Sequence, residues 1–300
     1  MPMSQRLAGL LTARLLAAFV LAAALPRPAA AAPPDRPSYF AKLWELDETG
    51  RRASFAFTPY RTSYVLAYSY NASPHSDVFQ DVVPPRTLMK SEVAFQLSIK
   101  AKLWQDAFGA KLDLWLGYTQ RAFWQLYDIE ESSPFREIDH EPELIFCFRT
   151  RFRVLGLDGR FVQVALSHQS NGLTRPLSRN WNRLIVNVGL ERGPFSLLVS
   201  AWVRVLFKPG ENETPGISRQ LGNGEVRAFY FVKRHRLGIM VRDNLNFRFN
   251  RAALEADWIF PLFARIGGIV QGYFGYGESL LDFDHRVSRI GVGIVFIDWD

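Results

Sequence analysis

The sequence predicts an all-β protein, a transmembrane antiparallel β-barrel of about twelve strands. Three observations carry that reading: an export leader, apolar–polar alternation at period two in segment after segment, and connections that alternate between short and long.

The leader comes first. Arg6 and Arg14 precede an apolar run from Leu15 to Leu25, and the small residues Ala29 to Ala32 follow it. This order marks 1–32 as a signal peptide, with cleavage expected near Ala32, and leaves 33–300 as the mature chain. A membrane-anchoring helix is the other reading of such a run, but about eleven apolar residues fall well short of the ~20 needed to span a bilayer.

Composition then narrows the class. The chain has 36 Lys and Arg against 29 Asp and Glu, and removing the leader's Arg6, Arg14 and Arg27 leaves 33 against 29, a net +4. These charges are interspersed, so no nucleic-acid partner is expected. One cysteine, Cys147, excludes an internal disulfide framework. Stability must come from packing or from a membrane. No Pro/Gly/Ser linker or fixed-period repeat divides the mature residues, which read as one domain with a short periplasmic segment at its start.

The strands follow from alternation. Val162, Val164 and Leu166 share one face while Gln163, Ala165 and Ser167 share the other. Leu184, Val186, Val188 and Leu190 line a face in the next segment, Leu114, Leu116 and Tyr118 in an earlier one, and Ile290, Val292, Ile294 and Phe296 in the last. Short turns fall near 105–109, 156–159, 191–194, 233–235 and 261–263, and long polar loops near 71–86, 128–139, 169–180, 209–224, 243–250 and 277–285. Six long loops interleaved with five short turns imply about twelve strands, with long loops outward and short turns in the periplasm. A soluble secreted sandwich also alternates, but the leader and the loop lengths favour a barrel of the outer membrane. The end of the chain, Trp299–Asp300, departs from the terminal aromatic common in such barrels.

Chemistry concentrates in one hairpin. Residues two apart on a strand share a face, so His168 and Ser170 fall in line with Val162, Val164 and Leu166, and Asn182 with Leu184 and Val186. The apolar face of a membrane barrel meets lipid, which puts His168, Ser170 and Asn182 at the outer rim. A channel has no use for them there, whereas an enzyme would meet a lipid head group. A serine hydroxyl needs an adjacent base, and an imidazole needs a partner that fixes its tautomer, for which an Asn carbonyl serves. The backbone N–H of Gly172 is a candidate donor to a developing oxyanion. On its own the same pattern also fits solvated polarity on a passive, porin-like barrel. The chain contains neither a G-x-S-x-G elbow nor an H-E-x-x-H zinc motif.

At these residues the chain resembles the outer membrane phospholipase A family of Gram-negative bacteria. The match runs through His168-x-Ser170–Asn171–Gly172 and on through Pro176, Ser178, Arg179, Trp181, Asn182 and Arg183. "WELD" at 44–47, "PYRTSY" at 59–64, the blocks from Tyr118 to Leu144, and "GYGESL" with "RIGVG" between 275 and 293 extend it over most of the mature chain. The resemblance implies a twelve-stranded barrel and calcium-dependent hydrolysis of phospholipid acyl esters at either position, active as a homodimer. It assigns Ser170 as nucleophile, His168 as general base and acid, Asn182 as the residue orienting His168, and Gly172 as an oxyanion-hole donor. It places Ca²⁺ on Ser178 and the carbonyl of Leu173, with Ser132 supplied by the other subunit. Leu173 itself departs from the family's arginine, which leaves the calcium carbonyl but removes that side chain from the substrate.

Gln120 has a reading of its own. It shares a face with Leu116 and Tyr118, an unfavourable place for an unpaired amide unless a partner subunit satisfies it. The family has a dimer-bridging glutamine at this position. His75, His140, His235 and His285 have no partner in the pattern and read as solvated loop or turn positions. Trp104, Trp115, Trp124, Trp181, Trp202 and Trp258 read as interface girdle or barrel packing.

Overall fold

Lipid offers no hydrogen bonds, so a backbone that crosses it as strands must close its own ladder. The computed structural model, which describes residues 38–82, 85–205, 214–246 and 248–297, shows how this chain does so. The leader expected over 1–32, Phe247 and the terminus Trp299–Asp300 lie outside the described residues.

A three-residue strand, β1 (Phe57–Pro59), is followed by β2 (Tyr64–Asn71), β3 (Ser91–Trp104), β4 (Leu112–Trp124), β5 (Phe135–Val154), β6 (Leu157–Ser170) and β7 (Asn180–Arg192). Then come β8 (Phe195–Val205), β9 (Gly224–Val232), β10 (His235–Asp243), β11 (Ala252–Phe263), β12 (Ile266–Tyr276) and β13 (Arg286–Phe296). From β2 onward each strand pairs antiparallel with the next, and β13 returns to β2, closing a barrel of twelve strands. The small strand β1 lies outside this ring, added to the lower end of β3.

The expected turns fall near their places with three adjustments, and residues 209–213 of the loop expected over 209–224 lie outside the described residues. The turn expected over 156–159 falls at Leu155 and Gly156, because β6 already begins at Leu157. Strand β5 begins at Phe135, inside the loop expected over 128–139. The turn expected at 261–263 falls at Ala264 and Arg265, because β11 runs on through Pro261 to Phe263. Proline offers no N–H to a ladder, and here the register shifts between Pro261 and Phe263, which accommodates it at a bulge.

Burial is inverted relative to a water-soluble barrel. Leu97, Leu116, Val203, Ile239, Val292 and Ile294 point outward and are exposed, while Lys100, Asp113, Glu143, Gln163, Gln271 and Arg289 are buried within. Inside, charges are paired: Arg61 bridges Glu141 at 2.7 Å and Glu143 at 2.8 Å, and Arg236 meets Asp257 at 2.8 Å. Unpaired charge would be costly there, and pairing with hydrogen bonds on both partners offsets that cost.

The short-turn end is stoppered by the chain's own N-terminal part. Helix α1 (Tyr39–Trp44) starts at Ser38, whose Oγ accepts from the Ala41 N–H at 3.0 Å. The helix inserts Phe40 and Trp44 into a cluster with Tyr60, Trp115 and Phe161. Glu191, at the low end of β7, receives the Phe40 N–H at 2.9 Å, and Glu45 receives Lys102 at 2.7 Å. Gly189 makes room for this packing, since a Cβ there would lie 2.3 Å from the Phe161 ring. Trp115, Trp181 and Trp202 are thus interior packing, whereas Trp104 and Trp258 are exposed on the outer wall.

At the opposite end the long loops lean on one another. Arg136, at the top of β5, holds Glu92 at 3.1 Å and Asp282 at 2.8 Å and lies 4.3 Å over the Phe123 ring. Asp282 faces His75 at 3.6 Å, His75 bonds the Leu281 carbonyl at 3.2 Å, and its ring stacks on His285 at 4.1 Å. Burial of the His75 ring opposes its protonation, but the Asp282 carboxylate more than offsets this and holds its pKa above the ordinary histidine value. His75 and His285 are therefore loop-to-loop ties, not the solvated positions the sequence suggested. His235 likewise accepts from Trp258 Nε1 at 3.3 Å.

Replacing Arg136 with Ala strands Glu92 and Asp282 without their cation. The expected cost is about 3–5 kcal/mol, read as a lowered denaturant midpoint for the vesicle-embedded protein by tryptophan fluorescence.

Candidate active site

The β6–β7 hairpin presents its outer face at the long-loop end of the barrel. Along β6 the alternation buries Phe161, Gln163, Ala165 and Ser167 and turns Leu166 and His168 outward, and Ser170 follows at the strand's end. His168 pairs in register with Asn182 on β7. The pairing brings His168 Nδ1 to 2.7 Å from Asn182 Oδ1. A carbonyl oxygen only accepts, so Nδ1 carries the proton and Nε2 is left with its lone pair. Asn182 is buried while His168 is exposed, so the imidazole is held from below by a fixed group and open above.

Ser170 Oγ accepts the Gly172 N–H at 3.1 Å. The hydroxyl and the backbone donor thus sit one hydrogen bond apart. Gly172 has φ +66°, a backbone conformation that favours glycine, and nothing lies within 4 Å of where its Cβ would be. The side of Gly172 where a side chain would stand is open.

The loop from 171 to 179 is shaped by a residue whose role the spacing did not reveal. Asn171 is buried, and its Oδ1 accepts from the Leu173 N–H at 3.3 Å and the Arg179 N–H at 3.0 Å. Its Nδ2 donates to Glu137 Oε1 at 3.1 Å and to the Leu177 carbonyl at 2.9 Å. Glu137 also receives the Leu281 N–H at 2.9 Å. One carboxylate therefore ties the loop to β5 and to the 277–285 loop. Leu177 adds apolar contact with Phe79, Leu88 and Leu281.

The sequence profile of the family described as Phospholipase A1 matches residues 40–296. The chain belongs to the phospholipase A1 family. Its relatives include a putative phospholipase A1 of Neisseria meningitidis, 32% identical over 92% of this chain and 75% of the relative. Phospholipase A1 of Escherichia coli is 33% identical over 81% of this chain and 82% of its own length. Among solved structures, outer membrane phospholipase A from Escherichia coli superposes with a TM-score of 0.78 at 31% identity, covering 89% of this chain and all of that one. An active-site mutant of the same enzyme, with asparagine replaced by alanine, gives 0.78 at 31% identity over 88% and 98% of the two chains. So does a Salmonella typhi outer membrane phospholipase dimer with bound calcium. As a phospholipase A1 family member with this barrel, the chain is a phospholipid ester hydrolase of the outer membrane.

The remaining residues singled out in the sequence fall in three places. Leu173 and Ser178 both lie on the loop that Asn171 folds, Leu173 exposed and Ser178 half-buried. Ser132 is on the separate β4–β5 loop, exposed, at φ +59°, with its N–H on the Ile129 carbonyl at 3.2 Å. Gln120 faces outward on β4, paired with Leu97 on one side and His140 on the other. Its amide is not wholly unpaired, since Oε1 lies 3.3 Å from Tyr118 Oη. His140 is a strand residue, cross-strand from both Gln120 and Ser170, with Nδ1 2.7 Å from Tyr118 Oη. Only pairing register could have found it there, because nothing local in "IDHEPE" points to it.

Asn182→Ala removes the partner of His168 Nδ1 and leaves the barrel ladder intact. Turnover is expected to fall roughly ten- to a hundredfold, the worth of one buried orienting bond, with KM little changed in a mixed-micelle assay.

Proposed function

We propose that the protein hydrolyses the acyl esters of outer-leaflet phospholipids through Ser170, His168 and Asn182, with Ca²⁺ and a second subunit required. The observation that carries this reading is the His168–Asn182 contact of 2.7 Å beside Ser170 on the lipid-facing rim. Ser170 Oγ attacks the ester carbonyl carbon while His168 Nε2 takes its proton, and the Asn182 carbonyl steadies the imidazolium through Nδ1. The Gly172 N–H, released from Ser170 Oγ, meets the developing oxyanion. Collapse breaks the ester bond, His168 returns the proton to the leaving alkoxide, and the lysophospholipid departs. Water, giving a proton to the same base, then attacks the acyl carbon; the Ser170 Oγ–acyl bond breaks, the fatty acid leaves and His168 returns the proton to Ser170 Oγ. Nothing in this arrangement selects one ester position, in keeping with A1, A2 and lysophospholipase activity.

The donor set suits calcium. The Leu173 carbonyl and Ser178 hydroxyl are hard neutral oxygens on one loop held in shape by Asn171. Among the described residues no cluster of three His, Cys, Asp or Glu competes as a metal site. Two such oxygens do not complete a calcium shell, which is consistent with Ser132 arriving from a second subunit and with water filling the rest. Bound there, Ca²⁺ would add positive charge beside the oxyanion. The calcium-bound dimer among the relatives supports both requirements, and the asparagine-to-alanine active-site mutant supports the role given to Asn182. Gln120, facing lipid with its amide nitrogen lacking a recorded partner among the described residues, is the proposed dimer contact. A porin-like function fits less well, since paired charges line the lumen and the aromatic side chains of α1 pack across one end.

Two measurements test this. Ser170→Ala should abolish phospholipid hydrolysis in detergent micelles while the folded barrel is retained. Chelation of calcium from the wild type should do the same, reversibly. Undiminished turnover in the variant would remove Ser170 from the mechanism, and turnover indifferent to chelator would remove the metal.

A further inference from the structure

The outer wall carries three polar side chains in an apolar setting. Tyr118 and Gln120 lie on β4, and His140 lies on β5, cross-strand from Gln120. Leu97 and Leu116 are exposed beside them, and Ile138, Pro142 and Leu144 share the face of His140. Lipid offers no hydrogen bonds, so each polar group here needs a protein partner, and their bonds can be counted one by one.

One assignment serves all three side chains. The Gln120 carbonyl has no proton to give, so Tyr118 Oη donates its single proton to Gln120 Oε1 at 3.3 Å. Tyr118 Oη then accepts at 2.7 Å from His140, whose Nδ1 carries the ring proton. Two functions are left over. Gln120 keeps its amide N–H donors and His140 keeps the lone pair of Nε2, and neither has a partner among the described residues.

A donor and an acceptor thus stand at one height on adjacent strands. Such a patch is complementary to itself. Across a two-fold axis parallel to the membrane normal, the β4 side of one wall meets the β5 side of the other, and each donor falls opposite an acceptor. We propose that Gln120 donates to Nε2 of His140 of the partner subunit, while the partner's Gln120 gives the same bond to His140. The inference rests on the dimer of the proposed function and supplies its pairing rule, a contact between unlike residues made twice. The axis then passes between β4 and β5, beneath the loop that joins them. That loop carries Ser132, the calcium ligand expected from the other subunit.

The test reads association rather than turnover. Protomers labelled at an added N-terminal tag with donor or acceptor fluorophores are mixed in calcium-containing micelles, and energy transfer reports the dimers. In the His140→Phe homodimer both Gln120 amides face an apolar ring. In the Gln120→Met homodimer both His140 lone pairs go unmet, while the thioether still accepts weakly from Tyr118. Each homodimer is expected to associate roughly tenfold more weakly than wild type, since two lipid-facing hydrogen bonds are lost. Mixed with each other, the variants regain one of the two bonds, from Gln120 of the Phe protomer to His140 of the Met protomer. At equal concentrations their heterodimer should exceed its statistical half share. Heterodimers at no more than that share, or His140→Phe associating as wild type does, would overturn the contact. His140→Leu takes its place if the Phe variant lacks the heat-modifiable gel migration of a folded barrel. Wild type that stays monomeric in these micelles would instead refute the dimer of the proposed function.

Discussion

The pairing register of β6 with β7 is the constraint on which the rest depends. A strand ladder fixes which residues face each other, and here it sets His168 opposite Asn182 and leaves Ser170 at the top of the same face. A slip of β6 by one residue would turn His168 and Ser170 into the lumen, away from Asn182, and bring Gln163 and Ser167 out into lipid. The inversion of burial forbids that slip. Outward Val162, Val164 and Leu166 and inward Gln163, Ala165 and Ser167 each have one acceptable side. The membrane that selects the barrel thereby selects the geometry of the site.

What the register leaves open, the loops settle. The Ser170 hydroxyl and the Gly172 N–H lie where the strand gives way to the 171–179 loop, and a loose loop would spoil their spacing. Asn171 folds that loop on itself, Glu137 ties it to β5 and to Leu281, and the Arg136–Glu92–Asp282 cluster anchors those neighbours in turn. At the other end α1 closes the lumen with Phe40 and Trp44. The barrel is thus a wall with the proposed site on its outside, and its polar interior serves to hold that wall.

Much of this was legible in the sequence because strand parity and loop length are local properties. Val162 to Ser170 declares its faces without help from the rest of the chain. What was not legible depends on partners far away. Glu137 reads as one acid among many until Asn171 and Leu281 close on it. His75 and His285 look like isolated loop residues, yet their rings stack across more than two hundred residues of sequence. His140 was placed with the solvated histidines because its neighbours, Gln120 and Ser170, are assigned only by the pairing of three strands. Pro261 marked a turn too early, since a bulge lets a proline remain within a strand.

The central claim is that Ser170 is the nucleophile of a site facing lipid. Covalent labelling with a long-chain alkyl fluorophosphonate, followed by peptide mass spectrometry of the active protein in calcium-containing micelles, tests it most directly. The account predicts a single adduct on Ser170, formed as activity is lost. An adduct on another side chain, or complete inactivation with Ser170 unmodified, would contradict it.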